Sequence, residues 1–109
     1  MPPSLAEMKR TYAVKWREPN GRTYVGRLAL GVRTLDLEGR ESGGPIVDRQ
    51  LEYAGLRSLR LANGRAGRLD GRPTLVVDRY DGIYLITSAG GGVGLVQELV
   101  ERLAPLTAH

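Results

Sequence analysis

The stretch Thr11-Tyr12-Ala13-Val14-Lys15-Trp16-Arg17-Glu18-Pro19-Asn20-Gly21-Arg22-Thr23-Tyr24-Val25-Gly26-Arg27-Leu28 reads as two strands joined by a tight turn. Tyr12, Val14 and Trp16 alternate with Thr11, Ala13, Lys15 and Arg17, and a period of two marks a half-buried strand. In Pro19-Asn20-Gly21 the proline presets φ, the asparagine suits the next turn position, and the glycine accepts the left-handed conformation of a bulge. A three-residue loop of this kind closes on Glu18 and Arg22. It sets Trp16 opposite Tyr24, Val14 opposite Gly26 and Tyr12 opposite Leu28 on one face. The other face carries Lys15, Arg17, Thr23 and Arg27. A two-residue Asn-Gly loop would place Val14 opposite Arg27 and mix the faces, so the pattern favours the longer loop.

Outward from this hairpin, Gly31 ends the second strand and residues 32–38 read as a third, with Leu35 and Leu37 alternating against Asp36 and Glu38. Residues 39–45 form a Gly-rich, charged loop. Residues 46–62 read as two short strands meeting at a bend near Ala54-Gly55, because glycine and turn-rich flanks argue against a helix there. Residues 63–73 read as a loop or tight hairpin. Thr74-Leu75-Val76-Val77 and residues 83–87 are apolar runs joined through Asp81-Gly82, a hairpin signal. The period then changes. Leu95, Val96, Leu99, Val100 and Leu103 form one helical stripe, with Glu98 and Arg102 spaced for an i, i+4 pair. Pro105 is expected to stop this helix, which spans 93–104. At the other end, Ser4-Leu5-Ala6-Glu7 has capping-box spacing, so a helical turn is expected within the N-terminal segment 1–9.

The result is one domain over residues 1–109: mainly β (α+β), with about seven antiparallel strands capped by a C-terminal amphipathic helix. A chain of 109 residues buries roughly two thirds of its unfolded surface, enough for a core without staples. It has no cysteine, which excludes disulfides, thiol catalysis and cysteine-ligated metals. No apolar run approaches the roughly 20 residues that span a bilayer, and the N-terminus lacks a signal-peptide core, so a cytoplasmic location is the expectation. The net charge is +4 and Lys9 and Lys15 are the only lysines, so nearly all the basic charge is arginine.

The order of elements resembles the pleckstrin-homology (PH) superfold, in particular the small bacterial PH-like domains. Three stretches carry the likeness: Tyr24-Val25-Gly26-Arg27-Leu28 in the first hairpin, Leu51-Glu52-Tyr53-Ala54-Gly55-Leu56-Arg57-Ser58-Leu59-Arg60-Leu61 as a strand, bend and strand, and Thr74-Leu75-Val76-Val77 with Ile83-Tyr84-Leu85-Ile86 passing through a Gly-rich turn into the closing helix. The resemblance spans nearly the whole chain and implies a bent, two-sheet, incompletely closed barrel with the helix plugging one open end. Two features depart from it. The helix lacks the tryptophan of eukaryotic PH domains, and Lys15 with Arg22 and Arg27 does not reproduce the spacing of the phosphoinositide signature.

No catalytic constellation is legible. His109 is the only histidine and the last residue, so no relay has a base, and Asp70, Asp78 and Asp81 sit at turn positions where aspartate serves the backbone. No cofactor or metal is expected. The leading function is a non-enzymatic binding module for a protein partner or a second copy of itself, because short edge strands can pair with another chain. The alternative is an anion site on the first hairpin formed by Lys15, Arg17, Arg22 and Arg27, reading an acidic lipid surface from the inner face of the membrane. A secondary basic cluster, Arg65, Arg68 and Arg72, lacks an interleaved aromatic, so nucleic-acid binding ranks below both. The turn containing Gly90, Gly91 and Gly92 lies between strand and helix, where phosphate can bind, but it lacks a P-loop pattern. Tyr12, Trp16 and Tyr24 are expected to fill the core rather than line a groove.

Overall fold

The computed structural model describes residues 11–62, 68–90 and 94–107. The first hairpin forms in the expected register. Strands β1 (Thr11–Arg17) and β2 (Thr23–Leu30) pair Trp16 with Tyr24, Val14 with Gly26 and Tyr12 with Leu28. Glu18 N–H donates to the Arg22 carbonyl at 2.9 Å and Gly21 N–H to the Glu18 carbonyl at 2.9 Å, closing the three-residue loop. Gly21 has φ of 89°, the left-handed position that the sequence reserved for glycine.

Five more strands follow: β3 (Thr34–Arg40), β4 (Val47–Glu52), β5 (Leu56–Leu61), β6 (Thr74–Arg79) and β7 (Gly82–Ser88). A 3-10 turn at Tyr53–Gly55 makes the expected bend between β4 and β5. All seven form one continuous antiparallel sheet in the order β4-β3-β2-β1-β7-β6-β5, curled into a half-barrel. β1 is the central strand, pairing with β2 on one side and β7 on the other. Among the described residues β4 and β5 are left as the two edges.

The core lies on the concave face. Trp16 is fully buried and stacks on Tyr24, with ring centroids 5.2 Å apart. Two glycines make room for it. Gly26 and Gly39 face each other across β2 and β3, and a Cβ at Gly39 would lie 2.9 Å from Trp16 Cη2. Helix α1 (Leu95–Thr107) closes this face with Val96, Leu99 and Leu103, each at most 2% exposed. Leucine and valine at this spacing bury one stripe of the helix, worth roughly 1.5–3 kcal/mol for each fully buried side chain.

Two arginine–carboxylate contacts, each with one buried partner, tie the rim. Glu18 is 6% exposed and accepts two bonds from Arg49 of β4, Nε at 2.7 Å and Nη2 at 3.3 Å. The Arg49 guanidinium also lies over the Tyr24 ring, and the Glu18 bond is the main cause that holds its pKa above the usual arginine range. Arg79 donates to the Glu52 carbonyl at 2.5 Å and to Asp81 at 3.1 Å, fastening the β6–β7 hairpin to the end of β4.

Three expectations change. β3 begins at Thr34 rather than residue 32, because Gly31 N–H bonds the Thr34 carbonyl at 2.8 Å and leaves Val32 at the turn, 82% exposed. The helix is described from residue 95 and does not stop at Pro105 but runs on to Thr107. Proline in the last turn forfeits one bond to the exposed Glu101, and Thr107 Oγ1 donates to the Leu103 carbonyl at 2.9 Å, satisfying an end carbonyl instead. Finally, the segment before β6 is more than a loop. Residues 68–73 fold over the convex face of β6 and β7, where Leu69, Thr74, Val76 and Thr87 are all at most 1% exposed. Leu69 N–H donates to Thr74 Oγ1 at 2.8 Å and Thr87 Oγ1 to the Pro73 carbonyl at 2.7 Å, so this second small core is sewn down by hydrogen bonds. The capping-box turn at residues 4–7 lies outside the described residues.

Candidate functional site

Among the described residues β5 has one hydrogen-bonded neighbour, β6, and one open side. Beside that open side runs a groove of about 330 Å³ whose walls are Leu56 to Leu59 of β5 and Val100, Ala104 and Thr107 of α1. Positions 100, 104 and 107 follow the i, i+4, i+7 rule, so they form a second helical stripe next to the buried one at 96, 99 and 103. Helix α1 therefore has two apolar duties. One stripe seals the barrel, and the other borders the edge strand.

The chemistry of the groove is mixed in a way that suits an extended polypeptide. Leu56, Leu59 and Val100 are half-buried and pack against the core, supplying an apolar floor. Arg57, Ser58 and Arg60 are exposed along β5. Neither arginine forms an ion pair among the described residues. The register slips between Leu56 and Ser58, a local irregularity that places Arg57 out of the regular alternation. An unpaired strand edge presents backbone N–H and C=O groups that can ladder with another strand.

The sequence-identified cations lie elsewhere, and the fold meets three of the four on the first hairpin with carboxylates. Lys15 pairs with Asp70, Arg22 with Glu41 at 3.4 Å, and Arg27 with Glu38 at 3.9 Å. Arg17 donates to Thr23 Oγ1 at 3.4 Å. Asp70 comes from the 3-10 turn at Leu69–Gly71, which crosses the convex face to reach β1, and it adopts the left-handed conformation with φ of 56°. The Lys15 bond, with Arg72 and Arg17 nearby, holds the Asp70 carboxyl below its usual range. Arg72 itself is spent locally, donating to the Ser88 carbonyl at 2.9 Å and the Ala89 carbonyl at 3.4 Å. Arg68 is exposed, while Arg65 lies outside the described residues. Of the Gly-rich turn, Gly90 is exposed and Gly91 and Gly92 lie outside the described residues.

A larger hollow of about 640 Å³ lies over the outward face of β1 to β4, where Asp36, Glu38 and Asp48 surround Arg27. Its charges offset one another. Among the described residues no group of three or more histidines and carboxylates converges to hold a metal ion, and no helix is long and apolar enough to cross a membrane. Burial, and then Asp81, pushes the Tyr84 phenol above its ordinary pKa, and burial, and then Asp36, pushes Tyr53 up to about 12. Both phenols stay protonated near neutral pH, and Tyr53 donates to the Gly31 carbonyl at 2.8 Å.

Sequence reasoning found the edge strands in principle but not this groove. The signal was there: Val100 and Ala104 stand one position on from Leu99 and Leu103, and Thr107 one turn on from Leu103, so a helix docked by residues 96, 99 and 103 carries them along the border of that stripe. Compared with known proteins, the chain matches no family model and no curated protein.

Proposed function

We propose that this chain is a non-enzymatic, PH-like binding module of the cytoplasm that associates with protein by accepting an extended segment along β5. The observation that carries the reading is the coincidence of an open strand edge with an apolar groove against α1. Backbone ladder bonds supply general affinity in such docking, and pockets for alternate side chains supply selectivity. Leu56, Leu59 and Val100 favour aliphatic side chains on one face of the incoming segment. Arg57 and Arg60 favour carboxylates on the other. Acidic-membrane binding through the first hairpin has less support, because Lys15, Arg22 and Arg27 each already face a carboxylate.

The test is a titration of the isotope-labelled chain with peptides of about seven residues, a typical strand length, that alternate valine or leucine with glutamate. Amide shifts should concentrate at residues 56–61, Val100 and Ala104, and Ala104→Glu should weaken binding about tenfold by placing a like charge in the groove. Shifts confined to other surfaces, or none at millimolar peptide, would refute the reading.

A further inference from the structure

The two open edges of the sheet carry opposite charge. On β4, Asp48, Gln50 and Glu52 point outward and are exposed. Neither carboxylate forms an ion pair among the described residues. On β5 the exposed charges are Arg57 and Arg60, equally without ion pairs. By contrast, cations on the hairpin surface are met within the chain by Asp70, Glu41 and Glu38. On its other face β4 turns Val47 and Leu51 into the chain's own core, so the outward carboxylates are what this edge offers to a partner. We infer that the segment docking along β5 is strand β4 of a second copy of this chain, joined head to tail.

The arrangement of charge decides between this contact and simple protection of the edges. Charges on edge strands commonly block unwanted pairing. Like charge on both edges would block every combination. Opposite charge blocks β4 against β4 and β5 against β5, and favours β4 against β5. Antiparallel docking with Asp48 opposite Arg60 puts Glu52 opposite Leu56, next to Arg57 at the irregularity in β5. Such a contact is heterologous, so each copy added uses one edge and offers the other, and assembly continues until a ring closes or the chain ends. Strands of six residues make a small interface, below the roughly 1,200 Å² of a stable complex, so association is weak and reversible.

This inference rests on the docking role of β5, and a charge swap tests it separately. Sedimentation velocity of the full chain should show a mean mass that rises with concentration from about 10 μM to about 1 mM. The association should weaken about tenfold as salt shortens the Debye length from about 30 to about 3 Å. Arg57→Glu with Arg60→Glu should give a monomer, as should Asp48→Arg with Glu52→Arg, each folded by far-UV circular dichroism and Trp16 emission. An equimolar mixture of the two variants should associate again, because each now offers the other complementary edges. A mixture that remains monomeric, or a wild type monomeric at 1 mM in low salt, would overturn the inference. If the valine–glutamate peptides still bind β5 in that case, only the identity of the occupant falls; if they do not, the docking role falls with it.

Discussion

Truncating Leu99 to alanine isolates what holds the helix to the half-barrel. Leu99 is fully buried within the cluster that contains Trp16, Leu75 and Ile86. The change removes about three carbon groups, worth roughly 0.8 kcal/mol each in transfer free energy, or about 2.4 kcal/mol. The strands beneath are held by their own ladders and collapse only partly, so a residual void of about 50 Å³ adds about 1.2 kcal/mol at roughly 24 cal/mol per Å³. Leu99→Ala should therefore cost about 3–4 kcal/mol, a large share of the roughly 5–15 kcal/mol by which such a domain is stable. Urea unfolding followed by Trp16 emission measures this directly. With a slope of about 2 kcal/mol per molar, the midpoint should fall by about 1.5–2 M at unchanged slope. Leu106→Ala, at a position 38% exposed, should cost less than about 1 kcal/mol. If the two variants lose equal stability, or Leu99→Ala costs less than about 1 kcal/mol, α1 does not seal the core as described.

Gly26→Ala should destabilise the fold by more than about 2 kcal/mol, because its Cβ would lie 1.9 Å from the Glu38 carbonyl oxygen and 2.5 Å from Gly39 Cα, whereas Gly90→Ala, with open space around it, should leave the urea midpoint nearly unmoved. Tyr53 gives a pH signature: burial raises its folded pKa from 10.0 to about 12, so the fold holds a proton that the unfolded chain releases, and stability should be intact below pH 10 and decline as pH rises toward 12. Tyr53→Phe should flatten that alkaline decline while losing the bond to Gly31, and an unchanged slope would show that another group governs it.

Short-range chemistry explains what was legible in the amino-acid sequence. Pro19-Asn20-Gly21 dictates the loop, the loop dictates the register of β1 on β2, and a register with period two dictates that Trp16 and Tyr24 share the buried face. The stripe at residues 96, 99 and 103 equally dictates which side of α1 is buried. Each inference needs only neighbours along the chain. The end of the helix escaped this logic because Thr107 and the buried Leu103 support a turn that Pro105 alone would have broken. Strand order escaped it altogether. That β1 pairs with β7, and that β4 and β5 are left open, depends on which of many distant pairings buries the most apolar surface. The candidate groove is a product of that choice, since β5 and α1 lie far apart in sequence and meet only when the sheet curls. The charge pattern depends on it as well. Asp70 reaches Lys15 only because residues 68–73 cross the convex face to cover Val76 and Thr87, so a hairpin cation that looked free along the chain is paired in space, while among the described residues Arg57 and Arg60 on the open edge are not.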